Sequence, residues 1–61
     1  MSATPLDVEH GGKMYSGEFT VERGVLTVTT ERGRKAVQLG HMAPERLARI
    51  VFRELINAGK A

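Results

Sequence analysis

Residues 19–39 read Phe19-Thr20-Val21-Glu22-Arg23-Gly24-Val25-Leu26-Thr27-Val28-Thr29-Thr30-Glu31-Arg32-Gly33-Arg34-Lys35-Ala36-Val37-Gln38-Leu39. The tripeptide Glu-Arg-Gly occurs twice in this stretch, nine residues apart, each time between short runs of β-branched and apolar residues. Runs that short, punctuated by glycine, have to fold back on themselves. The stretch therefore predicts a three-stranded antiparallel meander.

The register follows from asking which loop puts the apolar side chains on one face. A three-residue Glu-Arg-Gly loop sets Val21 against Val25 and turns Leu26 and Val28 away from Phe19 and Val21. A two-residue Arg23-Gly24 loop sets Val21 against Leu26 and Phe19 against Val28. The same choice at Arg32-Gly33 sets Val28 against Val37 and Leu26 against Leu39. A slip of one residue exchanges the faces of a strand, so the agreement of both turns selects the two-residue loops. The expected rows are Val21–Leu26–Leu39 and Phe19–Val28–Val37. An arginine at positive φ costs about 1 kcal/mol in such a turn. Each aliphatic side chain placed on the buried face returns ~1.5–3 kcal/mol. This register puts Glu31 opposite Arg34 and leaves Ser16, Glu18, Thr20, Thr27, Thr29, Ala36 and Gln38 facing solvent.

Upstream, residues 1–12 are small and polar, with Pro5 near the start and Gly11-Gly12 at the end. They read as a mobile leader in which Leu6 and Val8 can touch the domain, so the ordered domain is expected over 13–59. Downstream of Gly40 the period changes. Pro44 suits the first turn of a helix, Glu45 its positive end, and Gly59 its stop. Leu47, Ile50, Val51, Leu55 and Ala58 recur at helical spacing and predict the stripe that covers the sheet. The expected fold class is α+β: a three-stranded antiparallel meander followed by one C-terminal α-helix packed on one sheet face.

Ala48, Phe52 and Ile56 widen the apolar arc beyond what one sheet needs. The polar strip is reduced to Arg46, Arg49, Arg53 and Asn57. Either the helix lies deep in the sheet, or Phe52 and Ile56 meet a second subunit; in so small a domain the favoured expectation is a homodimer with Phe52 and Ile56 in its interface. The competing reading packs Phe52 on Tyr15 or Met42 at the sheet edge.

Composition narrows the functional classes. The chain has 61 residues, no cysteine and a net charge of +2. One domain fits this length, and neither a disulfide framework nor a thiolate zinc site can supplement its core. No apolar run approaches the ~18 residues of a membrane span, and the start lacks the pattern of a secretory signal. The expectation is a cytoplasmic protein. Asp7 and Glu9 are the only charges in residues 1–12, so the remainder carries a mild basic excess.

Candidate chemistry is sparse. His10 and His41 are the only near-neutral acid–base groups, and neither has a partner at metal-ligand spacing. His41 reads as a linker histidine just ahead of the helix. Gly11-Gly12-Lys13 lacks the upstream glycine and the following Ser or Thr of a phosphate loop. Glu18, Glu22 and Glu31 fall on the solvent face or at turn flanks rather than around a pocket. No catalytic residue, metal ligand or cofactor is expected, and the chain reads as a non-enzymatic module that binds a macromolecular partner.

The alternative is a DNA-binding regulatory protein with a basic sheet rim. Arg23, Arg32, Arg34 and Lys35 would meet phosphates at the turns, and Arg46, Arg49 and Arg53 would add a second strip. Glu18, Glu22 and Glu31 interrupt that surface, and exposed stacking aromatics are lacking.

Two resemblances follow from these residues. Three strands and a C-terminal helix resemble, in strand order only, the plant ethylene-response-factor and methyl-CpG-binding domains. Their base-reading motifs find no counterpart here, so no residue role carries over. The pattern Tyr15-x-Gly17-x-Phe19-x-Val21, then Leu26-Thr27-Val28, then Gln38-Leu39-Gly40, resembles small bacterial β-β-β-α proteins, a domain of unknown function. Pro44-Glu45-x-Leu47-Ala48 followed by Arg53-Glu54-Leu55 extends that likeness to about residues 15–55. It implies the fold and brings no activity with it.

Overall fold

The alternation Leu6-Asp7-Val8-Glu9 followed by Gly11-Gly12 is itself a strand-and-turn pattern, and it forms one. The computed structural model describes residues 3–61; Met1 and Ser2, the start of the expected leader, lie outside the described residues. Within them the chain runs β1 (Thr4–His10), β2 (Lys13–Glu22), β3 (Val25–Thr29), β4 (Arg34–Gln38) and α1 (Pro44–Asn57). The strands form one antiparallel sheet in the order β1-β2-β3-β4. The fold is α+β as expected, with four strands instead of three. The fourth strand is the segment read as a leader: Leu6 and Val8 are buried core residues, and Gly11 and Gly12, at φ 62° and 78°, make the β1–β2 hairpin turn.

The first Glu-Arg-Gly turn adopts the expected register, with Val21 paired to Leu26 and Phe19 to Val28. Arg23 and Gly24 both lie in the left-handed region, at φ 53° and 78°, which is the type I′ geometry that matches strand twist. The second copy behaves differently. Leu26 pairs with Val37, Val28 with Lys35 and Thr29 with Arg34, so the loop is Thr30–Gly33 and the strand has slid by two residues from the expected register. A slip of two preserves the faces. Val37 stays on the inner side, Leu39 falls opposite Gly24, whose carbonyl accepts its N–H at 2.8 Å, and Glu31 does not face Arg34.

The physical reason is that this loop needs no second left-handed arginine. Thr30 Oγ1 accepts from the N–H groups of Gly33 at 3.1 Å and Arg32 at 3.3 Å, and Thr30 N–H donates to the Gly33 carbonyl at 2.7 Å. The Thr30 hydroxyl also reaches the Lys60 carbonyl. A Cβ at Gly33 would lie 3.2 Å from Lys60 Cβ, so this glycine is selected by close approach and not by φ.

The helix starts at Pro44 without a side-chain cap on its Ala43 N-cap, and ends where Gly59 (φ 74°) leaves it. Lys60 N–H donates to the Leu55 carbonyl at 2.8 Å and Gly59 N–H to that of Ile56 at 3.0 Å, which is a Schellman ending. That ending delivers Lys60 to the β3–β4 loop. The core consists of Leu6, Val8, Phe19, Leu26, Val28, Ala48, Val51, Phe52 and Leu55. The buried helix stripe is therefore Ala48, Val51, Phe52 and Leu55; Ile50 and Ala58, expected within it, are exposed.

Candidate interaction surface

Phe52 decides how the apolar arc of α1 is used. Its side chain is 0% exposed in the single chain, seated over Gly17 of β2, where a Cβ would lie 2.7 Å from the ring's Cε2. Gly17 leaves a gap in the inner face between Tyr15 and Phe19, and the ring fills it. Phe52 therefore has no surface left to offer a second subunit, and Tyr15, two residues from Gly17 on the same face, packs against the core that contains it. Ile56 is half-buried against the same core.

What α1 leaves open lies on its other flank. It packs chiefly on β1 and β3 and touches β4 only lightly. Ile50 is 44% exposed, Met42 39%, and Leu47, Val37 and Leu39 are half-buried. Of these, Val37 belongs to β4, an edge strand of the sheet, Leu39 follows its end, and Met42 N–H donates to the Leu39 carbonyl at 3.4 Å.

The two sheet edges differ in their free backbone groups. On β1, Arg49 Nη1 donates to the Asp7 carbonyl at 3.3 Å, so Asp7 and the residues two away from it present their backbone outward. Pro5 is one of them and has no N–H to offer. On β4, the Leu39 N–H bond to Gly24 fixes Val37 and Lys35 as inward-bonding and leaves Arg34, Ala36 and Gln38 with outward N–H and C=O groups. No side-chain hydrogen bond among the described residues reaches those groups.

The basic residues singled out in the sequence do not converge. Arg23 and Arg32 occupy turns at opposite ends of the sheet. Lys35, on the helix side, binds Glu54 Oε1 at 2.8 Å, and Arg49 binds Glu45 at 3.3 Å besides the Asp7 carbonyl. Both pairs are about half exposed, so each contributes well under ~1 kcal/mol. Arg46 and Arg53 are exposed on the outer side of α1. Arg34 alone lies on the open sheet face, where β1 and β2 place Asp7, Glu9, Glu18 and Glu22. The added strand makes that face acidic, the wrong sign for a phosphate backbone.

Two of the concavities bring basic and acidic groups together. One, about 290 Å³, has Lys13, Ser16, Glu31 and Arg32 on its walls, with Lys13 Nζ 5.1 Å over the Tyr15 ring. The other, about 330 Å³, lies beside β4 between Arg34, Lys35, Glu54 and Lys60. Both open broadly to solvent, and no group of three or more potential metal ligands occurs among the described residues. No helix is long and apolar enough to cross a membrane.

No family model matches this chain, and no similar protein was found among the curated proteins or the solved structures. The β4 edge and its apolar flank could be anticipated in sequence only in part. Ile50 was visible as an apolar residue, but its exposure depends on how α1 crosses the sheet.

Proposed function

We propose that this chain is a non-enzymatic protein-interaction module that self-associates, and that its working surface is the β4 side of the domain. The observation that carries this reading is the coincidence there of an unpaired strand edge with the half-buried Val37 and Leu39 and the exposed Met42, whose N–H donates to the Leu39 carbonyl. Single exposed apolar residues are ordinary, whereas a strip bordering free backbone donors and acceptors suits another polypeptide. The small core supports the same reading, because association is a common source of stability at this size. Sedimentation velocity across micromolar concentrations tests it. A weight-average sedimentation coefficient that rises with concentration is the expected result; a constant monomer value would count against self-association. The nucleic-acid reading is not favoured, since the open sheet face is acidic and the arginines are dispersed.

A further inference from the structure

We infer that β4 pairs antiparallel with β4 of a second copy about a two-fold axis at Ala36, joining two four-stranded sheets into one continuous sheet. The inference rests on the self-association proposed above and specifies how it occurs.

The outward groups of β4 belong to Arg34, Ala36 and Gln38, spaced two residues apart as a ladder requires. A two-fold axis beside Ala36 sets Ala36 against Ala36 of the partner subunit, and Arg34 against Gln38 of the partner subunit. With two bonds for each such pair, about six new backbone hydrogen bonds form. β4 contains no proline, and its small central residue leaves the seam open to close approach.

Side-chain chemistry favours a second copy as the occupant. In this register no like charges stand opposite one another. The Arg34 guanidinium faces the Gln38 amide of the partner subunit, whose oxygen can accept from it. On the helix side Lys35 faces Val37 of the partner subunit. The Lys35 ammonium is already held by Glu54 of its own chain, leaving its methylene stem to cover the valine. Val37, incompletely covered in the single chain, lies on the same seam.

The other edge limits the assembly. β1 lacks an outward N–H at Pro5 and has its Asp7 carbonyl bound by Arg49, so a joined sheet cannot add further copies there in the same way. One open edge and one obstructed edge give a closed, isologous dimer instead of a growing ribbon.

Ala36→Pro is the direct test, because it removes an outward N–H while leaving the β3–β4 bonds in place. The wild-type chain should sediment as a dimer. The variant, with its far-UV circular dichroism retained, should dimerise at least roughly tenfold more weakly. Should that variant fail to fold, Ala36→Cys decides. The chain has no other cysteine, and a facing pair at about 5.5 Å between Cα atoms suits a disulfide. Ala36→Cys should cross-link rapidly under mild oxidation, and Thr27→Cys, one strand inward on the same face, should not. A wild-type dimer that survives a folded Ala36→Pro and cross-links no faster through Cys at 36 than at 27 would overturn edge pairing while leaving self-association intact. A wild-type chain that remains monomeric would overturn the second copy as occupant, in favour of a strand from another protein.

Discussion

Replacing Gly17 by alanine tests the contact that assigns Phe52 to the core of its own chain. The added Cβ would lie 2.7 Å from Phe52 Cε2 and 2.7 Å from the Thr29 carbonyl oxygen, both closer than the 3.0 Å below which real Cβ atoms essentially never approach. Relieving such overlap by shifting a ring and a strand typically costs about 1–3 kcal/mol. The substitution also restricts the unfolded chain, which offsets ~0.4–1 kcal/mol. The net expectation is destabilisation by roughly 1–2 kcal/mol, or a fall in melting temperature of about 5–15 °C for a domain this small. Urea titration followed by far-UV circular dichroism, at two fixed protein concentrations, measures it. Phe52→Leu supplies the second arm of a double-mutant cycle. With the ring removed only the Thr29 contact persists, so the cost of Gly17→Ala should shrink by about 0.5–1.5 kcal/mol. A neutral or stabilising Gly17→Ala at unchanged denaturant slope would refute the seating of Phe52. An undiminished cost in the Phe52→Leu background would move the clash to the Thr29 carbonyl alone. If Phe52 served an interface between copies instead, Phe52→Leu would act mainly through the concentration dependence of the midpoint.

Thr30→Val keeps the side-chain volume and deletes the acceptor for the Gly33 and Arg32 N–H groups and the donor to Lys60, so it should destabilise by about 1–2 kcal/mol in the same titration. Arg23→Asn should stabilise by roughly 0.5–1 kcal/mol, because asparagine tolerates the left-handed φ of 53° better; a loss of stability would contradict the type I′ turn. Random-sequence duplex DNA should bind weakly even at low salt, with no steep dependence of affinity on salt in a fluorescence-anisotropy titration; a steep slope would restore a phosphate-binding role to the dispersed arginines.

The parts of the fold that depend on local chemistry were legible in the sequence. The Arg23-Gly24 loop, the two rows it defines between β2 and β3, and a helix bounded by Pro44 and Gly59 needed only turn geometry, face parity and capping. β1 was also written there, in the alternation from Leu6 to Glu9 and the double glycine after it. Pro5 drew the reading toward a leader, although proline at an outward edge position signals an edge strand as readily as no strand. The second loop was not locally decidable. Its two repeated turns look equivalent in sequence, yet Thr30 replaces a left-handed residue with its hydroxyl, and Gly33 meets Lys60 from the far end of the chain. Phe52 was misplaced for a related reason. The signal was Gly17 between Tyr15 and Phe19, a vacancy on an otherwise filled face, whose meaning depends on the element that crosses it. The basic residues were visible as a set, but their partners Glu54, Glu45 and the Asp7 carbonyl are matters of tertiary placement.

The slip of two residues at the second loop also bears on what β4 can do. The expected register would have set both Val37 and Leu39 opposite buried residues of β3, at Val28 and Leu26. The observed one places Lys35 opposite Val28 and leaves Leu39 at the strand's end, opposite Gly24. Parity is unchanged, so Arg34, Ala36 and Gln38 remain the outward-bonding residues. What changes is the inner side of the edge, where a lysine tied to Glu54 now flanks a single valine. That arrangement protects a lone edge strand, because lysine discourages indiscriminate strand addition. It still accepts a partner that brings its own valine opposite the lysine, as a second copy does. A two-fold axis perpendicular to the sheet would keep both helices on one side and both acidic faces on the other. Asp7, Glu9, Glu18 and Glu22 of each copy would then lie toward the outer flanks, away from the Ala36 seam. The carboxylates that oppose nucleic-acid binding would thus not oppose the association of two copies.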